Sequence, residues 1–197
     1  MTAEHVLAAD PGETSGLAWC ELSVILGVEG SPLSGAGKRD ERYARLFEWG
    51  EIKGDIGKQA KLMAKGIREL QARVLVTEVS DHFLQQKRAY ALTHSSLVPI
   101  KLVGAYTALV ALQNWQGSKS MVLVEQTPSQ AKKVMTDKVL RAYGFPVGKR
   151  AAKAVGLDPM SPHEADAVRH LLLFIRRMYG SSGTGGGFAQ VIAEDLR

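Results

Sequence analysis

A chain of 197 residues with 45% hydrophobic composition can bury one sizeable core, and its length suits a single domain. Its net charge of +5 and pI of about 9.3 admit a polyanionic partner without demanding one. One cysteine, Cys20, excludes an internal disulfide framework, no signal-peptide core is present, and no unbroken apolar run approaches the roughly 18 residues that span a bilayer. A soluble cytoplasmic protein is expected, with no membrane and no organic cofactor.

The first element is a short buried strand over residues 6–10, Val-Leu-Ala-Ala-Asp, closed by Pro11-Gly12. Residues 16–22 and 45–52 read as two more strands of a meander, joined by a long connection at 29–42 rich in Gly, Ser, Pro and charge. Residues 58–72 repeat apolar side chains at helical spacing, with Leu62, Met63, Gly66, Ile67 and Leu70 on one side. A fourth strand, 73–78, ends in Thr77-Glu78, and the loop 81–87 beyond it is polar. Residues 90–115 make a long apolar helix, whose start Pro99 pushes later than the pattern suggests. A fifth strand covers 121–125.

Thr127-Pro128-Ser129-Gln130 opens a helix, because Thr127 can cap, Pro128 fits the first turn and Gln130 completes a capping box. That helix is expected to run to about Ala142, followed by a short basic helix at 148–155. Ser161-Pro162-His163-Glu164 is a second capping box, opening a helix to about Met178. The domain spans 1–179, and residues 180–197 are a Gly-rich spacer and tail. The element order predicts an α/β fold, a mixed five-stranded sheet flanked by helices on both faces.

Three carboxylates stand out: Asp10 and Glu78 at the ends of apolar strands, and Asp166 in the opening of the last helix. Each alone has an ordinary reading, as a turn residue, a solvent-reaching strand end or an exposed helical position. Jointly they can surround one point at one end of the sheet. Their mutual repulsion would raise their pKa values unless a cation intervened. Oxygen-preferring Mg²⁺ or Mn²⁺ suits such donors. His163 and Asp166 are three apart and share a helix face, whereas Glu164 does not and is accounted for as the cap of Ser161. His163 is therefore the better candidate for a metal ligand or proton-transfer group.

These residues resemble a family. Val6-Leu7-Ala8-Ala9-Asp10-Pro11-Gly12 is similar to the opening strand and turn of the RuvC-type Holliday junction resolvases of the RNase H-like superfamily. Thr77-Glu78 resembles their second acid, and His163-Glu164-Ala165-Asp166-Ala167-Val168 their closing motif. The likeness runs from Val6 to about Arg177. The long 29–42 connection, the Gly-rich tail and a loosely matching Ser129-Gln130-Ala131-Lys132 are departures that suit a divergent, phage-encoded member. The resemblance implies an RNase H-like fold and a DNA endonuclease of recombination and repair that leaves 5′-phosphate and 3′-hydroxyl ends. It implies two Mg²⁺ ions per site held by Asp10, Glu78, Asp166 and His163, with Mn²⁺ substituting, one ion activating water and the other stabilising the leaving oxygen.

Between Pro128 and Gly156 stand seven basic residues, Lys132, Lys133, Lys138, Arg141, Lys149, Arg150 and Lys153, against one acid, Asp137. The chain's excess charge is concentrated there. They read either as solvated helix faces or as contacts to DNA phosphates, and their nearness to Asp166 favours DNA. His82 and Phe83 follow Glu78; Phe83 can stack on a base at a junction or fold into the core, and Lys87 and Arg88 can reach phosphate nearby. The apolar helix from Leu97 to Trp115 is either central or part of a subunit interface. A two-fold junction cut twice needs two sites, so a C2 homodimer is expected. The competing readings are another RNase H-fold nuclease acting on flaps, forks or hybrids, an actin/hexokinase-type ATP-binding protein suggested by Asp10-Pro11-Gly12-Glu13-Thr14, and a non-catalytic junction binder.

Overall fold

The computed structural model describes residues 5–22, 43–79, 94–116 and 120–179. Five strands form one sheet: β1 (His5–Asp10), β2 (Thr14–Glu21), β3 (Phe47–Lys53), β4 (Ala72–Glu78) and β5 (Val122–Gln126), in the order β3-β2-β1-β4-β5. β1, β2 and β3 are an antiparallel meander, while β4 pairs parallel to β1 and β5 parallel to β4. A parallel step needs a crossover. Helix α1 (Ile56–Leu70) precedes β4, and α2 (His94–Trp115) lies between β4 and β5. The mixed five-stranded sheet expected from the element order is the one found.

Strand alternation splits the core in two. Val6 and Ala8 of β1, Val74 and Val76 of β4 and Val124 of β5 pack with the last helix, α6 (Pro162–Tyr179). Leu7, Ala9 and Leu75, one residue out of phase, pack against α1 and α2. Helices α3 (Pro128–Val134), α4 (Asp137–Ala142) and α5 (Lys149–Val155) complete the α6 side, where Ala131, Met135, Leu140 and Phe145 join the core.

Several boundaries differ from expectation. The helix expected from Thr127 to about Ala142 is two helices, because the Thr136 side chain accepts from the Val139 N–H and caps α4. The intervening Met135 carbonyl accepts from Arg169 Nε at 3.1 Å, a partner 34 residues away. On α1 the buried stripe is Gln59, Met63 and Ile67, and Leu62 is exposed, so the helix is rotated from the face its apolar residues suggested. Pro99 lies inside α2, whose described residues begin at His94.

Helix α2 also corrects the reading of apolar runs. Leu97–Trp115 is long and apolar enough, by length and composition, to cross a membrane. In the structure Val98, Leu102, Tyr106 and Val110 dock on the sheet, while Leu112 and Trp115 are exposed. The connection 29–42, the loop carrying His82, Phe83, Lys87 and Arg88, and the tail 180–197 lie outside the described residues.

Candidate active site

Strand register builds the floor of the site. Glu51 of β3 pairs with Gly16 of β2, Gly16 pairs with Asp10 of β1, and Glu78 of β4 pairs with Gln126 of β5. Ala9 pairs with Thr77, so one residue further sets Asp10 beside Glu78. Glu51, Gly16, Asp10, Glu78 and Gln126 thus form one row across the sheet. Asp10 continues the Val6–Ala8 side of β1 and Glu78 the Val74–Val76 side of β4, so both face α6.

Glycine in that row decides how closely α6 approaches. A Cβ on Gly16 would lie 1.9 Å from the His163 carbonyl oxygen. Its absence lets the first turn of α6 rest on β2 and brings His163 Nδ1 to 3.1 Å from Asp10 Oδ2. Two turns on, His170 Nε2 is 2.9 Å from Glu78 Oε2, and its Nδ1 is 3.1 Å from Gln126 Oε1. Between them Asp166 pairs with Lys132 Nζ at 3.0 Å and with Arg169, which also grips Asp137. The turn after Asp10 is held from below by buried Gln59. Its Nε2 donates to the carbonyls of Gly12 at 3.0 Å and Gly54 at 2.9 Å, and its Oε1 accepts from the Ser15 hydroxyl at 2.5 Å.

Glu164 is the cap its spacing indicated. The Ser161 N–H donates to Glu164 Oε2 at 2.7 Å, and the Glu164 N–H donates to Ser161 Oγ at 3.1 Å. That leaves His163 and Asp166, one turn apart on α6, as the side chains turned to other work.

The site is overcharged. Burial first, then the carboxylates of Glu78 and Asp166, push Asp10 up to about 6, against the lowering effect of the hydrogen bond from His163. At the edge of the row Glu51 is lowered by the Ser161 hydroxyl and Lys53. Lys132 is raised by its bond to Asp166.

Asp10, Glu78 and Asp166 therefore feel one another. Yet among the described residues no three His, Cys, Asp or Glu side chains converge closely enough to hold one ion. The donors stand as two pairs, Asp10–His163 and Glu78–His170, with Asp166 between them held by cations. The convergence expected of the three carboxylates is met in field but not in contact. The donor set still fits a hard divalent cation: all three carboxylates offer oxygen, and the burial and neighbouring carboxylates that raise Asp10's pKa are both costs of an unpaired charge that a cation would offset.

Beside Asp166 opens a cleft of about 610 Å³ lined by Lys132, Thr136, Gly148, Ser161, Asp166 and Arg169. It adjoins, through Val147 and Gly148, a second hollow of about 600 Å³ lined by Arg141, Phe145, Lys149 and Arg150. Lys133, Lys138, Arg141, Lys149, Arg150 and Lys153 are all exposed. Lys132 is not free: its ammonium is spent on Asp166.

Sequence reasoning missed Gly16, Gln126, Arg169 and His170. The signal for His170 was present, since positions 163, 166 and 170 fall on one helical stripe. Its partners become visible only once β4 and β5 are in register.

The fold is RNase H-like. Similar solved structures are those of the bacterial and mitochondrial Holliday junction resolvases. RuvC of Thermus thermophilus in complex with a Holliday junction substrate aligns over 89% of this chain and 96% of its own, at 13% identity and a TM-score of 0.51. A second structure of T. thermophilus RuvC aligns over 88% of this chain and 96% of its own, at 18% identity and a TM-score of 0.50. The yeast mitochondrial resolvase Ydc2 aligns over 96% of this chain and 85% of its own, at 13% identity and a TM-score of 0.53. No family model and no curated protein sequence matches the chain. At these identities the likeness is one of fold.

Proposed function

We propose that the chain is a structure-selective, metal-dependent endonuclease that resolves four-way DNA junctions by paired nicks, leaving 5′-phosphate and 3′-hydroxyl ends. The observation that carries this reading is the row across the sheet: Asp10 beside Glu78, with α6 bringing Asp166 and His163 over them at the mouth of a basic cleft. Asp10, Glu78, Asp166 and His163 would hold two Mg²⁺ ions, with Mn²⁺ able to substitute. Such ions, when bound, supply Lewis acidity to the scissile phosphate and the attacking water.

The chain's own residues do the rest. Asp10 loses its proton above about pH 6, so at neutral pH its oxygens are free to ligate. His163 Nδ1 lies 3.1 Å from Asp10 Oδ2 and can donate to the ionised carboxylate, which steadies it until an ion takes that oxygen. Lys132 can pass its ammonium from Asp166 to an incoming phosphate, freeing Asp166. Lys133, Lys138, Arg141, Lys149, Arg150 and Lys153 would track backbone phosphates, which fixes position without reading sequence. Phe83, Lys87 and Arg88 would extend that contact beyond Glu78. The exposed apolar face of α2, ending at Leu112 and Trp115, is offered to a second copy, so that a two-fold junction meets two sites.

A cleavage panel tests the proposal: a synthetic mobile four-way junction, a flap, an RNA–DNA hybrid and plain duplex, in Mg²⁺, with wild type and Asp10→Asn. Wild type should nick the junction in paired fashion, and Asp10→Asn should bind it without nicking. Full nicking by Asp10→Asn would sink the site. Preference for the flap or hybrid would reassign the activity to another nuclease of this fold.

A further inference from the structure

Helix α6 carries a second histidine, this one buried, that the proposed chemistry does not use. His170 is 1% exposed, and both of its ring nitrogens are engaged, one on Glu78 and one on Gln126. Glu78 is the flexible member of the acid set: a glutamate at a strand end has three free torsions, and ordering it costs side-chain entropy. Its neighbour in register, Gln126, is 2% exposed and on the same face, so the imidazole lies across both side chains at once. The Gln126 Nε2 has no hydrogen-bond partner among the described residues, with its oxygen facing His170 Nδ1. The two ends of an amide have nearly the same shape. Exchanging them lets Nε2–H donate to Nδ1, satisfies the orphaned donor, and leaves the ring proton on His170 Nε2. That proton then points at Glu78 Oε2.

We infer that His170 is a positioning residue for Glu78: it clamps Oε2, leaving Oε1 free to ligate, and Gln126 fixes the tautomer that lets it do so. The direction runs from β5 through the imidazole to the acid on β4. A ligating carboxylate held by an outer partner of this kind binds its ion more tightly because its geometry is set beforehand. Among the described residues Asp10 has no equivalent clamp; its histidine partner is half exposed.

The inference rests on the nuclease reading, and Mn²⁺ binding to the full chain without DNA separates the two. Affinity is read by electron paramagnetic resonance for wild type, His170→Leu, His170→Gln and Gln126→Leu. His170→Leu should bind Mn²⁺ about 10- to 100-fold more weakly, the usual cost of losing an outer-shell partner, with metal-free junction binding unchanged. His170→Gln, which carries an N–H to a similar reach, should recover most of the loss. Wild-type affinity in His170→Leu, or no recovery in His170→Gln, overturns the inference and leaves the nuclease reading intact. Should His170→Leu fail to fold, Gln126→Leu decides: it keeps the imidazole but frees its tautomer, and unchanged affinity there overturns the inference. A wild-type chain that binds no Mn²⁺ overturns both.

Discussion

The two histidine–carboxylate pairs on α6 use the same chemistry and opposite burial. At the start of the helix the His163 side chain is 45% exposed and its partner Asp10 11%. Two turns later the His170 side chain is 1% exposed and its partner Glu78 18%. In the first pair the acid is buried and the base can move; in the second the base is fixed and the acid reaches outward. A mobile imidazole can turn to an ion, a proton or a phosphate. An imidazole with both nitrogens engaged in the core can only hold its neighbour in place. One helix face therefore carries an accessible imidazole and a fixed one, separated by Asp166 and its two cations.

The largest disturbance of that contrast should come from Gly16. Gly16→Ala sets a Cβ against the His163 backbone, and backbone cannot give way as a side-chain tip does. The first turn of α6 must lift from β2, at about 3 kcal/mol, the upper end for overpacking. His163 and Asp166 should leave Asp10, while the His170–Glu78 pair, two turns away, stays. Thermal melting and histidine ring resonances check this: a lower melting temperature, a shifted His163 and an unmoved His170. A variant that melts with wild type would show that α6 does not rest on Gly16.

Next in size is the charge on Asp10. Below about pH 4 both the folded and the unfolded chain keep this proton, and it contributes nothing to stability. Between about 4 and 6 the unfolded chain has lost it while the native site retains it, so stability falls as pH rises, and above about 6 the full loss persists. Roughly two pKa units correspond to on the order of 2–3 kcal/mol. Ion-free Asp10→Asn should therefore melt higher than wild type at pH 7.5 and equal it near pH 4. Mg²⁺ should raise the wild-type melting temperature at pH 7.5 and leave the variant unmoved. Equal melting of the two ion-free proteins across this range would show that burial and the neighbouring carboxylates do not strain the Asp10 charge.

Local chemistry was the legible part of this chain. Both capping boxes, Thr127–Gln130 and Ser161–Glu164, are four-residue devices whose partners lie in the same turn. The sheet was legible through short apolar runs, since strands covered by helices on both sides bury every residue: Val6, Ala8, Val74 and Val76 face α6, and Leu7, Ala9 and Leu75 face α1 and α2. The acids Asp10 and Glu78 stood out because charge at the end of an apolar strand violates that pattern. What escaped was set by distant partners. The break between α3 and α4 takes hold where Arg169 claims the Met135 carbonyl. His170, inside an apolar run, looks like core until Gln126 and Glu78 arrive from two other strands. Gly16 looks like any strand glycine until α6 lies on it.

The smallest effect is the most diagnostic for the contrast between the two pairs. His163 is half exposed and gives up one hydrogen bond, so His163→Ala should cost about 1 kcal/mol of stability. It nevertheless removes the hydrogen bond that lowers Asp10, while burial and the charges of Glu78 and Asp166 remain. The Asp10 carboxyl should then titrate above about 6, and the acid limb of any ion-dependent stabilisation should move to higher pH with it. Carboxyl carbon resonances followed through an ion-free titration read this directly. An Asp10 pKa unchanged in His163→Ala would mean that the first-turn histidine is a bystander, and that on α6 only His170 holds its acid.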